Sequence, residues 1–374
     1  TLRNAGALSR DACVAEIVVT PFKTAESFRS QVARVAIRYA DPGTAASGAS
    51  GASDATAAGS GEQTLSLIAK FAPRAENLRD HAIYLLQRNH IKEAGVYARL
   101  AADPAVAAPD CWFAEVHQAN GHFCILMTHL HEAREITEVN GCPLELAELA
   151  IDAFATLHAR FWGRTEGPVD FLQLVPDAII EHLTRRLPGA DGPLLGELVG
   201  RVWRHDSLPP TTVLHGDARV ANMLFPGPAG GEFAFIDWQA ARLGKGVFDV
   251  AYFLVLSVDA AVRREHGAAL LGRYLRALVA SGVTDYTLAD LQRDYWLATV
   301  LVLGFVTLPM MSAESSATGS NAAGLQELGA VWTERMVALV EDLDFDWLGE
   351  QVGMDGAALA AAFARSNAAA VDGL

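Results

Sequence analysis

The stretch from Val213 to Gln239 constrains this chain more than any other. It reads VLHGDARVANMLFPGPAGGEFAFIDWQ and contains two short apolar segments, Met223–Phe225 and Phe233–Ile236, joined by a turn rich in Pro and Gly. Apolar segments on either side of such a turn predict a pair of short strands. Asp217 precedes the first strand and Asp237 follows the second. The stretch therefore sets acidic groups at the ends of neighbouring strands.

Three side chains here have the types and the spacing that phosphoryl transfer requires. Asn222 lies five residues after Asp217, and Asp237 lies twenty residues after it. In that chemistry one carboxylate accepts a proton from the attacking hydroxyl, while an amide and a second carboxylate hold Mg²⁺ on the nucleotide phosphates. Asp-x-x-x-x-Asn is also the spacing of the kinase catalytic loop. Singly these residues suit turns and caps, but together they indicate phosphoryl transfer.

The segments HGDARVANMLF and FIDWQ resemble the aminoglycoside phosphotransferase and choline kinase superfamily, and within it the ecdysteroid-kinase-like branch of small-molecule kinases. The resemblance implies an α+β, protein-kinase-like fold of two lobes, with a small antiparallel β-sheet N-lobe and a large, mainly helical C-lobe. It implies that Asp217 is the catalytic base and that Asn222 and Asp237 bind Mg²⁺. ATP, bound between the lobes, would phosphorylate a hydroxyl of a small molecule.

We predict an N-terminal lobe over residues 1–127 and a C-terminal lobe over residues 128–374. Residues 41–63 are rich in Gly, Ala and Ser, which predicts a flexible insertion in the first lobe. β-Branched and alternating segments predict strands at Glu16–Thr20, Gln31–Ala40, Thr64–Phe71, Cys111–Val116 and His122–Thr128. Helical periodicity predicts helices at 91–101, 143–162, two within 169–205, and at 259–282, 287–308, 324–343 and 355–370, with a polar loop at 312–323.

A charged pair is predicted in the first lobe. Lys70 lies near the end of the third strand, where a buried lysine is costly unless it is paired. Glu93 lies on the apolar face of the next helix, beside Val96 and Tyr97. We therefore expect Glu93 to hold Lys70, which would bind the nucleotide phosphates as in kinases. The alternative is that Lys70 snorkels at the strand end.

Sequence evidence for the other nucleotide-binding residues is weaker. The loop between the first two strands, residues 21–30, contains no glycine, whereas the resemblance implies glycines that let backbone amides approach the phosphates. Ser27 and Ser30 are candidate hydroxyl donors in their place, and an ordinary hairpin is the alternative. Met127–Leu130 is predicted as the hinge whose backbone would bind adenine.

Three further residues are assigned roles around the central stretch. Arg219 is predicted to be catalytic by neutralising charge on the transferred phosphoryl group, with a salt bridge inside the lobe as the alternative. Asp249 begins an apolar helix and is predicted to accept backbone amides of the catalytic loop. His158, in a Leu-His-Ala segment that resembles a family signature, is predicted to be structural.

Composition limits the binding partners and the cellular compartment expected for this protein. The formal charge of −15 disfavours nucleic acid. The longest apolar run, Trp296–Met311, has 16 residues, fewer than the roughly 20 that a membrane span needs. Four cysteines without a C-x-x-C pair, and an N-terminus without a secretion signal, favour a reduced cytoplasmic protein. We expect a monomer or a homodimer.

The sequence alone does not exclude two other classes of protein. A nucleotide-binding pseudokinase with a regulatory role is suggested by the glycine-free loop. A protein kinase is disfavoured by the His-Gly-Asp form of the catalytic segment and by the long helical tail. The acceptor is not specified: an antibiotic, a sugar, an amino-alcohol and another alcohol all fit the pattern.

Overall fold

The computed structural model describes residues 2–22, 31–40, 62–71, 91–117, 122–164, 191–316 and 322–372. The chain divides into two compact units, Thr1–Pro104 with Ala108–His131, and Ala105–Ala107 with Glu132–Leu374. The first unit carries an antiparallel sheet and the second is mainly helical, which confirms the predicted α+β class. The lobe boundary that we placed after residue 127 stays a prediction.

The first unit is built on a five-stranded sheet whose order is β1-β2-β3-β5-β4. Every neighbouring pair is antiparallel. Side chains alternate across it: Ala33 and Leu67 are buried on one face, and Ile125, which pairs with Lys70, is buried on the other. The strands are β1 (Cys13–Pro21), β2 (Gln31–Ala40), β3 (Glu62–Phe71), β4 (Cys111–His117) and β5 (His122–Thr128).

Strand β3 begins two residues earlier than predicted. Glu62 and Gln63, which we placed in the flexible insertion, pair with Ala40 and Tyr39 of β2. The Tyr39 hydroxyl also donates a hydrogen bond of 2.7 Å to the side-chain carbonyl of Gln63. Cross-strand pairing thus overrides the weak strand propensity of these two polar residues.

One helical segment, α1 (residues 91–99), follows in the first unit. Ala94, Val96, Tyr97 and Leu100 are buried, at spacings that place them along one helical side. Glu93 is buried with them and is fully inaccessible to solvent. The sequence pattern for this segment is confirmed, apart from an end two residues earlier.

Helices form most of the second unit. Helix α2 buries Ala150, Phe154 and Leu157, which recur every three or four residues. Helix α4 is buried on all sides and packs against α2, α5, α6 and α7. The helices are α2 (Leu144–Arg160), α3 (Asp191–Asp206), α4 (Val247–Ser257), α5 (Ala260–Ala280), α6 (Leu288–Ser316), α7 (Ala322–Glu341), α8 (Phe345–Val352) and α9 (Gly356–Asp372).

Several predicted helix ends were wrong. Helix α6 continues through Pro309 to Ser316, so residues 312–316 are helical where we expected a loop; proline weakens a helix by one hydrogen bond without always ending it. Asp191-Gly192-Pro193, whose Gly and Pro often interrupt helices, forms the first turn of α3, where proline is tolerated. Helix α8 was not predicted, although Asp344 caps it by accepting the Trp347 amide. The first helix predicted within 169–205 lies mostly outside the described residues.

Short strands position the loops of the second unit. Strand β7 pairs with β10, and β6, β8 and β9 form a three-stranded sheet. Met223 of β8 pairs with Phe235 of β9, which confirms the predicted strand pair. Throughout the described ranges, no helix has the length and apolarity to cross a bilayer. The short strands are β6 (Arg134–Glu135), β7 (Thr212–Leu214), β8 (Met223–Phe225), β9 (Ala234–Phe235) and β10 (Arg242–Gly244).

Candidate active site

The loop after β7 turns sharply at a glycine. Gly216 has φ +82°, a left-handed conformation that glycine adopts without steric cost. A Cβ at this position would collide with the carbonyl oxygen of Ala240, so this turn has no room for a side chain. The turn ends β7 and presents Asp217 immediately afterwards.

Asp217 and Asn222 are joined by hydrogen bonds within this loop. Asn222 Nδ2 donates to the backbone oxygen of Asp217 at 2.8 Å and to its Oδ2 at 3.0 Å. A short 3-10 turn, Val220–Asn222, brings the two residues together. The Asp217 side chain keeps 17% of its surface exposed, whereas Asn222 is buried. The carboxylate is thus held firmly and is still accessible to solvent.

Asp237 lies at the end of β9 in an unusual backbone conformation. Its φ is +65°, which costs a residue with a side chain about 1–2 kcal/mol and is typical of functional positions. The amide of Ile236 donates to the backbone oxygen of Asn222 at 2.9 Å. This bond ties the loop of Asp237 to the loop of Asp217, so the structure brings these three predicted residues to one place.

The donor set of this place suits a hard divalent cation. Because Nδ2 of Asn222 bonds Asp217, the amide presents its oxygen as the remaining acceptor. Asp237 adds a carboxylate, one oxygen of which also accepts from Gln239 at 3.2 Å. Within the described residues no cluster of three or more His, Cys, Asp or Glu side chains could hold a metal. A pair of oxygen ligands nevertheless fits Mg²⁺, which usually keeps waters and substrate phosphates among its ligands.

His215 is a buried link between the two loops. Its Nε2 lies 2.9 Å from the backbone oxygen of Ile236, and its ring lies 4.8 Å from the Trp238 ring, centroid to centroid. The amide of Asp217 lies 3.4 Å from Nδ1 of the same ring. With both nitrogens engaged inside the protein, His215 supports the loops structurally.

Asp249 anchors the catalytic loop from α4. Its two oxygens accept the backbone amides of His215 at 2.6 Å and of Gly216 at 2.9 Å. His158 Nε2 lies 3.3 Å from Oδ2 of Asp249, and His158 Nδ1 lies 2.9 Å from the Tyr274 hydroxyl. Burial alone raises the pKa of Asp249, but these hydrogen bonds and the neighbouring histidines outweigh it and lower that pKa.

Arg219 forms ion pairs on both sides of its guanidinium. Its Nε lies 3.4 Å from Oδ1 of Asp217, and its Nη1 donates to Oε1 of Glu138 at 3.3 Å. Burial lowers the pKa of Arg219, yet the carboxylates of Asp217 and Glu138 raise it further than burial lowers it. These contacts match the salt bridge that the sequence left open as the alternative, and a role at the transferred phosphoryl group stays a prediction.

Two residues of this cluster were not predicted from the sequence. Glu138 lies before α2, in a segment with no recognisable pattern, and is buried. Tyr252 lies on α4, beside the Asp217 carboxylate. Burial, followed by the charge of Asp217, raises the pKa of Tyr252 well above its ordinary value. The position of Tyr252 three residues after Asp249 was the available signal, because such residues share a helical face.

The first unit brings Lys70 and Glu93 together. Lys70 Nζ lies 2.7 Å from Oε1 of Glu93, and the two side chains are 11% and 0% exposed. A buried pair this close indicates that the lysine does not extend to solvent at the strand end. This contact does not test the prediction that Lys70 binds the nucleotide phosphates.

The other predicted nucleotide contacts are less informative. Ser27 and Ser30 lie outside the described residues. Met127 is paired within the sheet as part of β5, and Leu130 follows the end of that strand. The amides of Thr128 and His129 donate to the backbone oxygens of Asp110 and Ser66 at 2.9 and 3.2 Å. The hinge assignment for Met127–Leu130 stays a prediction.

The model of the phosphotransferase enzyme family that includes the aminoglycoside phosphotransferases matches residues 46–290 of the 374 in this chain. The chain belongs to this family. Membership confirms the predicted superfamily, while the ecdysteroid-kinase-like branch stays a prediction. No curated protein gave a significant sequence match.

Solved structures of small-molecule kinases resemble this fold at low sequence identity. Amicoumacin kinase hAmiN, solved with AMP-PNP, Ca²⁺ and Ami, is 12% identical with a TM-score of 0.50, and 91% of each chain is covered. Choline kinase LicA from Streptococcus pneumoniae is 11% identical with a TM-score of 0.48, over 87% of this chain and 95% of that one. An aminopropanol kinase associated with a microcompartment is 14% identical with a TM-score of 0.48, over 91% and 97%. The predicted kinase-like fold is confirmed.

Proposed function

We propose that this protein transfers the γ-phosphoryl group of ATP to a hydroxyl of a small molecule. One observation carries the proposal: Asp217, Asn222 and Asp237 meet at the ends of β7 and β9, joined by two hydrogen bonds to Asp217 and one between the loops. Membership of a phosphotransferase family supports the same reaction.

In this proposal Asp217 orients the acceptor hydroxyl and accepts its proton. The carboxylate suits that task because Asn222 and Arg219 hold it while part of its surface stays exposed. A base in this position contributes mainly by aligning the hydroxyl with the phosphorus atom, because phosphoryl transfer requires positioning and charge neutralisation more than covalent chemistry. Asp249 and Gly216 fix the backbone on which Asp217 stands.

Asn222 and Asp237 would hold Mg²⁺, and ATP would supply the phosphoryl group. When bound, the cation neutralises the negative charge of the nucleotide phosphates. Lys70, held by Glu93 at 2.7 Å, would bind those phosphates, with Ser27 and Ser30 as further donors and Met127–Leu130 as the hinge. The structurally similar amicoumacin kinase was solved with AMP-PNP and Ca²⁺, a nucleotide and a divalent cation that suit these roles.

The acceptor belongs to a class that can be screened directly. Family relatives with this fold include kinases of choline, aminopropanol and amicoumacin, so amino-alcohols and hydroxylated antibiotics are the first candidates. The protein would be incubated with Mg-ATP and a panel of such alcohols, sugars included, and the products analysed by mass spectrometry. An ATP-dependent mass gain of one phosphoryl group is expected. Nucleotide binding without transfer to any alcohol would favour the pseudokinase instead.

A further inference from the structure

Residues from three segments of the second unit lie around the carboxylate of Asp217. Asn222 bonds its Oδ2 at 3.0 Å, and Arg219 Nε approaches its Oδ1 to 3.4 Å. Tyr252, a buried residue of α4, lies beside the same carboxylate. Glu138, from the segment before α2, reaches this carboxylate only through Arg219. Two of these residues, Tyr252 and Glu138, have no role in the proposed reaction so far.

We propose that Tyr252 and Glu138 are positioning residues that fix the orientation of the Asp217 carboxylate for transfer. The proposal rests on the function proposed above, in which Asp217 is the base. It assigns two residues that lie 35 and 79 positions from Asp217 in the sequence, counted from their numbers.

Tyr252 approaches the carboxylate from α4. Its helix already holds the loop at two other points, because Asp249 accepts the amide of Gly216 at 2.9 Å and Ser257 Oγ accepts the amide of Val220 at 2.9 Å. Asp249 and Tyr252 are three residues apart and therefore share one face of α4. The same rigid, buried helix thus fixes both the backbone around Asp217 and, through Tyr252, its side chain.

Glu138 acts through the guanidinium of Arg219. An arginine fork ordinarily binds a carboxylate through two parallel hydrogen bonds, which here would occupy both oxygens of Asp217. Nη1 of Arg219 instead donates to Glu138 at 3.3 Å, and Arg219 approaches Oδ1 of Asp217 with its Nε at 3.4 Å. Glu138 is buried, so its position is fixed by packing. Glu138 thereby holds the guanidinium of Arg219 beside Oδ1 of Asp217.

The test compares Tyr252→Phe and Glu138→Gln with the wild type, using Mg-ATP and a panel of choline, aminopropanol, ethanolamine and kanamycin. We expect kcat for transfer to fall about tenfold or more in each variant, because small misplacements of reacting groups cost up to about a hundredfold. The KM for ATP should stay within about twofold, since neither residue belongs to the predicted nucleotide contacts. Glu138→Asp, which keeps the charge, should recover part of the lost rate.

Tyr286→Phe is the matched control for Tyr252→Phe. Tyr286 is also buried, and its hydroxyl donates to a carboxylate, that of Asp294, at 3.1 Å. It should lower the melting temperature to a similar extent and leave kcat unchanged. Unchanged kcat in Tyr252→Phe and Glu138→Gln would overturn the positioning proposal alone. A wild-type protein that binds Mg-ATP but phosphorylates no alcohol would overturn the proposed function, and the positioning proposal with it.

Discussion

Asp249→Asn tests whether α4 holds the catalytic loop through one buried carboxylate. Asp249 has no solvent exposure and accepts the amides of His215 and Gly216 at 2.6 and 2.9 Å. Asparagine has nearly the same shape but only one acceptor oxygen. One of the two amides therefore loses its acceptor and faces an NH₂ group instead.

The expected loss of stability follows from that geometry. A hydrogen bond to a charged group contributes about 1.5–3 kcal/mol, and a buried donor left without a partner costs about 1–3 kcal/mol. These two figures describe the same lost bond, so the free energy of unfolding should fall by about 2–3 kcal/mol. A protein with a typical stability of about 5–15 kcal/mol remains folded after such a loss, which allows kcat to be measured in the variant.

Urea denaturation and transfer kinetics would be measured on the same preparations. Asp294→Asn is the matched control, because Asp294 is also a buried carboxylate and bonds His205 at 2.8 Å and Tyr286 at 3.1 Å. Both variants should lose stability, and only Asp249→Asn should also lose kcat. If Asp249→Asn were as stable as the wild type, or if Asp294→Asn lost kcat equally, the anchoring argument would be wrong.

The Asp249 carboxylate also predicts how the stability of the protein depends on pH. Because the pKa of Asp249 is lowered in the folded protein, its contribution to stability is complete above the ordinary aspartate pKa of about 4 and is lost as the pH falls through the lower folded value. Asp249→Asn has no such group to titrate. Its stability should therefore decline less steeply than that of the wild type as the pH falls below about 4, and parallel curves would contradict the assignment.

Three further predictions address other parts of the site. Gly216→Ala should lower the melting temperature and reduce the free energy of unfolding by about 2 kcal/mol or more. At Gly230 φ is also positive, but a Cβ has open space. Gly230→Ala should therefore lose only about 1–2 kcal/mol, from backbone strain. Glu93→Gln should raise the Kd for ATP about tenfold in a calorimetric titration, because Lys70 loses the charge that holds it; an unchanged Kd would remove this pair from the nucleotide site. Asp237→Asn should raise the Mg²⁺ concentration that gives half-maximal transfer, and an unchanged metal dependence would count against the ligand assignment.

The parts of the fold that the sequence predicted are those with a local signature. The strand pair β8 and β9 was marked by apolar segments around a Pro/Gly turn, and α2 by its apolar period. Helix and strand ends that depend on tertiary packing were harder to predict. Helix α6 continues past Pro309 and β3 starts at Glu62, because neighbouring elements decide where such elements end.

The candidate site also combines residues that have a local sequence signature with residues that only tertiary packing brings together. Asp217, Asn222 and Asp237 were found because their spacing is fixed by one loop and one strand pair. Glu138 could not be found, since it reaches the site from a position 81 residues before Arg219, and nothing in its own segment marks it. Tyr252 shares a helical face with Asp249, which is a weak signal, and only the structure places it beside the Asp217 carboxylate.

The most direct test of the account is the loss of phosphoryl transfer in Asp217→Asn. The substitution keeps the shape of the side chain and removes the carboxylate that would accept the proton. Transfer to an accepted alcohol would be followed by mass spectrometry, and Mg-ATP binding by calorimetry. We expect the rate to fall by about 10²–10⁴ while the Kd for Mg-ATP stays close to that of the wild type. Transfer at the wild-type rate would contradict the assignment of Asp217 as the base.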